Sequence, residues 1–395
     1  MNFSFASRMN HVHKSFVREI LKATVNPEVI SFAGGLPNPK FFPAEEIAAA
    51  SSRVLHEDGE TALQYSTTEG YQPLRQWIAD RYAQKSGLSV LPEDILITNG
   101  SQQALDLIGK VFLNPNDTVL LEKPAYLGAI QAFSVFEPQF VPVSLREDGI
   151  DTEELAQTLN RCEAKLFYTV PNFQNPTGLT YTAENRRQLA NTLQSHNTIL
   201  IEDNPYGELR FLGTDQPNMK TFLGDPCILL GSFSKIFAPA MRLGWICACP
   251  AIMEKLVTVK QAADLHTNYF SQRVLFQYLQ DNDLDAHIRR ITQAYKQQRD
   301  CMVENLCRYF PADVQITEPE GGMFLWMTLP EGISAMDLFE RASARNVAFV
   351  PGNPFYVHAD SVNTLRLNYT NSDNKEIETG IQRLAEALSE LRRTV

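Results

Sequence analysis

The sequence predicts an α/β fold: a mostly parallel, seven-stranded sheet covered by helices, with a smaller α+β domain built from both ends of the chain. Between residues 95 and 248, apolar runs of four or five residues alternate with amphipathic segments of helical length. This alternation is typical of parallel strands joined by crossover helices, which bury both faces of the sheet. In the last hundred residues, short strands mix with two longer helical segments. That pattern indicates an α+β domain.

The elements of the large sheet follow from composition and from the turn residues that bound each run. Seven apolar runs are predicted to be strands: Ile95–Thr98, Thr118–Leu121, Gln139–Val143, Leu166–Val170, Thr198–Glu202, Ile228–Ser232 and Gly244–Ala248. Helices are predicted before and between them, over residues 10–25, 44–56, 73–86, 101–112, 126–136, 151–160 and 182–195. The first helix ends before Pro27, because the residue that precedes a proline disfavours helical geometry.

The rest of the chain is more helical. Residues 251–310 have a long polar and apolar pattern typical of helices. Beyond them we predict strands at Met323–Thr328, Ala348–Val350 and Thr364–Leu367, with helices near 334–344 and 373–391. We expect residues 45–290 to form the large domain, and residues 1–44 together with 291–395 to form the small domain and an N-terminal segment. A cleft between two such domains is a common place for a ligand.

Composition limits the classes of function. The chain has 395 residues, 44% hydrophobic and 21% charged, as in ordinary soluble proteins. A net charge of −11 argues against a nucleic-acid-binding surface. No apolar run is long enough to span a membrane, and residues 1–8 lack the features of a secretion signal. Six cysteines, none in a Cys-x-x-Cys pair, fit a reducing cytoplasm, and we predict no metal site.

Two strand ends carry the most informative residues. Ile228–Ser232 is followed by Ser234 and Lys235, and Thr198–Glu202 is followed by Asp203. Taken singly, such a lysine is usually a solvated loop residue, and such an aspartate is usually a cap or turn residue. Together they match the needs of pyridoxal phosphate. Its aldehyde requires an amine to form a Schiff base, and its pyridine nitrogen requires a carboxylate that keeps it protonated.

Other polar and aromatic residues follow neighbouring strands, where ligands bind in open parallel sheets. Ser101 and Gln102 open a helix, and amides and hydroxyls at a helix N-terminus suit a phosphate. Arg242 is a cation at a sequence distance suited to the same phosphate. Tyr126 can stack on a planar ring, although a tyrosine there is more often part of the core.

Asn175 and Arg366 are candidates for binding an anion. Asn175 lies in Pro171–Gly178, where two prolines and a glycine fix an irregular loop. Its amide could donate to a phenolate or a carboxylate. Arg366 lies in an alternating apolar strand, where an unpaired arginine is costly. It therefore meets a ligand carboxylate, whose shape a guanidinium matches, or forms a structural salt bridge.

These residues, in this order, resemble the fold-type I pyridoxal-phosphate aminotransferases of class I/II over almost the whole chain. The Ser-x-Ser-Lys motif at 232–235 and the Asn-Pro-Thr-Gly motif at 175–178 carry the resemblance to the broad family. Ser31–Pro37, Gln64–Gly70 and Pro351-Gly352 are similar to the 2-aminoadipate and kynurenine aminotransferase branch. The resemblance implies a homodimer with shared active sites. It also implies ping-pong transfer of an amino group between an L-amino acid and a 2-oxo acid such as 2-oxoglutarate.

The resemblance also implies a role for each residue. Lys235 would bind the cofactor and move the proton at the substrate Cα, while Asp203 would pair with the pyridine N–H. Tyr206 and Asn175 would hold the ring oxygen O3′. The other cofactor-binding residues would stack on the ring or surround the phosphate: Tyr126, Ser101, Gln102, Ser232, Ser234, Arg242 and, from the other subunit, Tyr65. The substrate-binding residues would be Arg366, Asn175, Gly35 and Arg18.

Substrate choice and reaction type stay open at this point. Arg18 resembles the arginine at an N-terminal helix position of the 2-aminoadipate and kynurenine aminotransferase branch, where it can meet a side-chain carboxylate. This resemblance favours glutamate or 2-aminoadipate. Arg18 is equally a solvent-facing helix arginine, and aromatic or aliphatic amino acids are possible substrates. A pyridoxal-phosphate-dependent β-lyase would share the same cofactor residues. The last alternative is a non-catalytic domain like that of DNA-binding transcription regulators. The acidic composition of the chain and the short segment before Phe32 argue against it.

Overall fold

The computed structural model describes residues 3–10, 12, 20, 26, 28–358 and 362–393. Most of the helix predicted over residues 10–25, including Arg18, lies outside these residues and stays a prediction. Within the described ranges, no helix is both long and apolar enough to cross a membrane.

An eight-stranded sheet forms the centre of the larger part of the molecule. Five adjacent strands run parallel, and Gly244–Cys247 runs antiparallel to both of its neighbours. Across the sheet the order is Ile95–Thr98, Gly244–Cys247, Cys227–Ser232, Ile199–Asp203, Ala164–Thr169, Thr118–Lys123, Gln139–Arg146 and Gly149–Ile150. The seven predicted strands are confirmed. The eighth adds a two-residue edge, which is too short to be visible as a sequence pattern.

The strands are apolar on both faces because each face covers a separate core. Val119, Leu121 and Ile201 belong to one buried cluster, which extends into the C-terminal part of the chain. The alternate residues Leu120 and Leu200 belong to a second cluster on the opposite face. Side chains alternate between the faces of a strand, so these continuous apolar runs fit a sheet covered on both sides.

Helices cover both faces, mostly near their predicted positions. The first predicted helix of the large domain continues to Ala62 through a kink at Asp58. The segment 251–310 divides into three helices, because Asn268 and Asp283 each cap a new N-terminus with their side chains. The helices up to residue 310 are Ala44–Ala62, Gln72–Ser86, Gly100–Phe112, Leu127–Ser134, Thr152–Leu159, Ala183–Leu193, Met219–Leu223, Pro250–Asp264, Tyr269–Asp281 and Leu284–Tyr309.

A second, antiparallel sheet lies in the C-terminal part of the chain. Its order is Gln315–Ile316, Phe324–Thr328, Thr364–Asn368 and Val350–Pro351. Ala335–Ser343 and Asn374–Arg392 are the helices of this region.

Both ends of the chain meet at this second sheet. Ile30–Ser31 pairs with Val347–Ala348 in parallel, and the Asn368 amide N–H donates to Phe32 O at 2.8 Å. This pairing supports placing residues 1–44 with the C-terminal region. The proposed boundary at residue 290 falls within the helix Leu284–Tyr309, and the domain limits stay a proposal.

Candidate active site

Lys235 lies beyond the carboxyl end of Cys227–Ser232, where the segment from the chain start also passes. Its Nζ donates to Gly35 O at 2.8 Å. Burial, together with the positive charges of Arg366 and Arg242, lowers the pKa of Lys235 to about 8. A lysine with this pKa has a substantial neutral fraction near neutral pH, as a nucleophile or a general base requires.

Asp203 is a buried carboxylate at the end of the neighbouring strand. Tyr168 donates its hydroxyl to Asp203 Oδ2 at 2.8 Å, while Oδ1 makes no hydrogen bond with the described residues. Burial raises the pKa of Asp203 to about 6, and the hydroxyls of Tyr168 and the nearby Ser101 oppose part of that rise. An ionised carboxylate with one free oxygen is therefore available to a cationic N–H donor.

Arg366, which belongs to the second sheet, lies at the same site. It is only 4% exposed, and its guanidinium lies 4.2 Å from the centre of the Phe324 ring. NH1 donates to Asn175 Oδ1 and NH2 to Ala33 O, both at 2.8 Å. Nε has no partner in the described part of the chain. Burial lowers the pKa of Arg366 to about 10, because no carboxylate of the described residues offsets the cost of burying the charge.

Asn175 and Tyr206 connect Arg366 to the large sheet. Asn175 Nδ2 donates to the Tyr206 hydroxyl at 3.3 Å, and the Tyr206 ring packs edge-on against Phe324 at 5.9 Å. Both residues are buried. Burial raises the pKa of Tyr206 above its ordinary value, so the phenol stays protonated and can donate a hydrogen bond.

The turn between Ile95–Thr98 and the helix Gly100–Phe112 forms another wall. Arg242 NH2 donates to Asn99 O at 3.0 Å. A Cβ on Gly100, which has a φ of +73°, would come within 2.6 Å of that nitrogen, so only glycine permits this approach. Ser101 lies in the first turn of the helix, beside its free N-terminal amides. An anion is stabilised in such a place.

Other residues predicted for this wall have their own contacts. Gln102 Nε2 donates to Gly128 O at 3.1 Å, and the Ser232 hydroxyl accepts from the Ser234 amide at 3.1 Å. The Tyr126 ring lies over Gly128, where a Cβ would come within 2.5 Å of it. These contacts fix the shape of the wall.

Two predicted residues are not brought to this cluster. Tyr65 is 79% exposed, and its ring packs edge-on against His266 at 5.9 Å, so it does not line the cleft of its own chain. Arg18 lies outside the described residues. Gly35 is at the site through its contact with Lys235, and a Cβ there would lie 3.2 Å from Phe324 Cζ.

Sequence reasoning missed Tyr168, Phe324 and the buried acid Glu122. Tyr168 pairs with Ile201 across two parallel strands. Since side chains alternate, Asp203 lies on the same face and diagonally adjacent to it. The alternation of side chains along the two strands would have predicted this contact if the strand pairing had been known. Phe324 and Glu122 carry no comparable signal in the sequence.

The residues present fit pyridoxal phosphate. The free oxygen of Asp203 suits the pyridine N–H, and the Gly100 turn with Arg242 suits the phosphate. Lys235 supplies the amine for the aldehyde. The described residues contain no group of three or more His, Cys, Asp or Glu side chains that could hold a metal ion.

Comparison with known proteins agrees with this geometry. Aromatic-amino-acid aminotransferase 1 of Thermococcus litoralis is 43% identical over 392 residues, which are 98% of this chain and 94% of the relative. The 2-aminoadipate transaminase of Thermus thermophilus is also 43% identical over 392 residues, covering 98% and 97%. The crystal structure of the alpha-aminoadipate aminotransferase LysN from Thermus thermophilus was solved with N-(5'-phosphopyridoxyl)-L-leucine. It matches with a TM-score of 0.92 at 42% identity, covering 99% of this chain and 98% of that chain.

The model of one protein family covers most of the sequence. It matches residues 28–384, which include every element that contributes a described residue to the cleft. The chain therefore belongs to the aminotransferase class I and II family.

Proposed function

We propose that this aminotransferase uses pyridoxal 5'-phosphate to move an amino group between an L-amino acid and a 2-oxo acid such as 2-oxoglutarate. Glutamate and 2-aminoadipate are the favoured donors. The observation that carries the proposal is Arg366, a buried guanidinium with no carboxylate partner among the described residues, beside Lys235. Such a cation suits the α-carboxylate that amino acids and 2-oxo acids share.

Each site residue has a defined task in this proposal. The bound cofactor supplies an aldehyde that accepts the amino group and a ring that withdraws electrons from the neighbouring carbon. Lys235 would hold the cofactor, and its neutral amine would then take the proton from the substrate Cα and deliver it to the carbon that carried the aldehyde. Asp203 keeps the ring nitrogen protonated. Its pKa of about 6 leaves it ionised at neutral pH.

The remaining residues orient the two ligands. Arg366 and Asn175 hold the α-carboxylate, and Tyr206 donates to the ring oxygen. Phosphate contacts come from Ser101, Gln102, Ser232, Ser234 and Arg242, and Tyr126 stacks on the ring. A fixed carboxylate leaves the Cα proton facing Lys235, and such orientation contributes much of the rate in reactions of this kind.

We also propose a homodimer with shared active sites, in a cytoplasmic location. The exposed ring of Tyr65 supports this, since a residue that does not line its own cleft is free to reach the phosphate of a second subunit. Residues 45–290 form the large cofactor-binding domain in this proposal. Residues 1–44 with 291–395 form the smaller one.

An absorbance spectrum of the purified protein tests the proposal. The wild type loaded with pyridoxal phosphate should show a yellow band. L-glutamate or L-2-aminoadipate, added without an oxo acid, should remove that band and yield one equivalent of oxo acid. Lys235→Ala should show neither the yellow band nor turnover. Wild-type-like turnover of this variant would refute the proposal. Pyruvate formed from a β-substituted amino acid without an acceptor would instead identify a β-lyase.

A further inference from the structure

Glu122 is a fully buried acid that none of the tasks above uses. It follows the apolar part of the strand Thr118–Lys123 and is 1% exposed. Three donors converge on its carboxylate. The Val170 amide donates to Oε1 at 2.9 Å, the Tyr181 hydroxyl to Oε1 at 2.7 Å, and Gln174 Nε2 to Oε2 at 2.8 Å. A buried carboxylate with three donors joins three segments of chain at one point.

Gln174 connects Glu122 to the loop that carries Asn175. Its Nε2 also donates to Pro124 O at 2.9 Å. Its Oε1 accepts from the Thr177 amide at 2.8 Å and from the Thr177 hydroxyl at 2.7 Å. Its main chain bonds to Leu179 and Gly178. Because every polar group of Gln174 is used, the loop is closed around this side chain.

Asn175 is the next residue, and its side chain leaves this closed loop towards the cleft. There it accepts from Arg366 and donates to Tyr206. Only those two side-chain bonds hold its amide among the described residues, so its orientation depends on the loop behind it. A small rotation of the Asn175 amide would break the contact with Arg366.

We propose that Glu122, acting through Gln174, is a positioning residue that sets the orientation of Asn175 and hence the affinity of the site for the substrate carboxylate. The inference rests on the proposed function, in which Asn175 and Arg366 hold that carboxylate.

The three donors fit the ionised form of Glu122: burial raises its pKa to about 7, and the hydrogen bonds from Gln174, Tyr181 and Val170 oppose part of that rise. A carboxylate accepts hydrogen bonds at both oxygens, whereas the amide of glutamine presents a donor at one of them. In Glu122→Gln, at least one of the three donors therefore faces another donor. Whichever partner gives way, the link to Gln174 or the end of the neighbouring strand must shift.

The test compares Glu122→Gln with Glu202→Gln in cofactor-loaded enzyme. Glu202 is a matched control: it is also fully buried, and burial likewise raises its pKa to about 7. It lies near Arg186, at 3.7 Å, and does not bond to Gln174. Arg186 donates to Pro171 O and Asn172 Oδ1 at the start of the same loop, so this control separates the route through Gln174 from other support of the loop. For each protein we would measure the KM for L-glutamate, the Kd of 2-oxoglutarate, kcat, and the Kd of pyridoxal phosphate.

We expect Glu122→Gln to raise the KM for glutamate and the Kd of 2-oxoglutarate about tenfold, the size of one disturbed buried hydrogen bond. Its Kd for pyridoxal phosphate should rise by a smaller factor, about twofold, because Asn175 is only one of several groups that would hold the cofactor. Glu202→Gln should leave the carboxylate affinity unchanged. Gln174→Met, which removes the link from its other side, should reproduce the effect if Glu122→Gln does not fold.

Two results would overturn the inference. One is that carboxylate and cofactor affinities fall by the same factor, since a general structural role predicts that. The other is an equal loss of carboxylate affinity in Glu202→Gln. A wild type that neither binds pyridoxal phosphate nor turns over an amino acid would refute the proposed function itself, so the two failures are distinguishable.

Discussion

Replacing Arg366 with methionine should separate binding of substrate from stability of the fold. Burial lowers the pKa of Arg366 from its ordinary value to about 10. A shift of this size means that the folded protein disfavours the charged form by roughly 3 kcal/mol. Methionine removes that cost and fills a similar volume, but it gives up the hydrogen bonds to Asn175 and Ala33. Because these effects oppose each other, the free energy of unfolding should change by no more than about 1 kcal/mol.

Activity should respond very differently to the same change. Without Arg366 the substrate carboxylate would be buried without a counter-charge, which costs about 3–5 kcal/mol. This corresponds to a loss in kcat/KM of about 150- to 5,000-fold. Urea unfolding and steady-state kinetics with L-glutamate would measure the two quantities on the same preparation. A variant several kcal/mol less stable with nearly unchanged kcat/KM would show that Arg366 is structural and would refute the reasoning.

Three other predictions concern the cofactor and the substrate side chain. With a pKa of about 8 for Lys235, the neutral fraction is about 10% at pH 7, half at pH 8 and about 90% at pH 9. Binding of pyridoxal phosphate to the apoenzyme should therefore accelerate about fivefold from pH 7 to 8 and less than twofold from pH 8 to 9; a rise of tenfold per pH unit through pH 9 would contradict the lowered pKa. Tyr168→Phe removes the hydrogen bond to Asp203 and should weaken pyridoxal phosphate binding about tenfold, measured by fluorescence titration. Tyr369→Phe, which removes an equally buried hydroxyl bonded to a main-chain carbonyl, should not, and equal losses would assign Tyr168 a structural role only. Arg18→Gln should reduce kcat/KM for glutamate and 2-aminoadipate more than for leucine or phenylalanine, and equal losses would reject Arg18 as the selector of acidic side chains.

The large sheet could be predicted because its strands are buried on both faces. Runs such as Thr118–Leu121 and Ile228–Ser232 have no polar alternation, and helical segments separate them. The strands Ile30–Ser31, Gly149–Ile150 and Gln315–Ile316 could not be predicted in the same way. Two residues carry no periodicity, and these strands exist because tertiary contacts bring a partner alongside.

Site residues could be predicted where a charged or reactive side chain directly follows a predicted strand. Parallel strands end at one edge of the sheet, so Asp203 and Lys235, which follow neighbouring strands, lie at the same edge. Tyr168 and Glu122 lie within strands, and their importance depends on which strand pairs with which and in what register. A single sequence does not supply that register. Arg366 was predicted from a different observation. An unpaired charge within an apolar strand is costly, and this cost indicated that Arg366 binds an anion.

Asp203, Lys235 and Arg366 form no salt bridge with any other of the described residues. Burial raises the pKa of Asp203 and lowers the pKa values of Lys235 and Arg366, so the folded protein disfavours the charged form of each. Each of these groups has a complement in the proposed ligands. A pyridine N–H suits Asp203, an aldehyde suits Lys235, and an α-carboxylate suits Arg366. The groups whose charged forms the fold disfavours are thus the ones that bind the ligands in this proposal. Pyridoxal phosphate should therefore raise the melting temperature by mass action on the folded state. Sites of this kind sacrifice stability for function, which explains why the described residues provide Arg366 with hydrogen-bond acceptors but no acid.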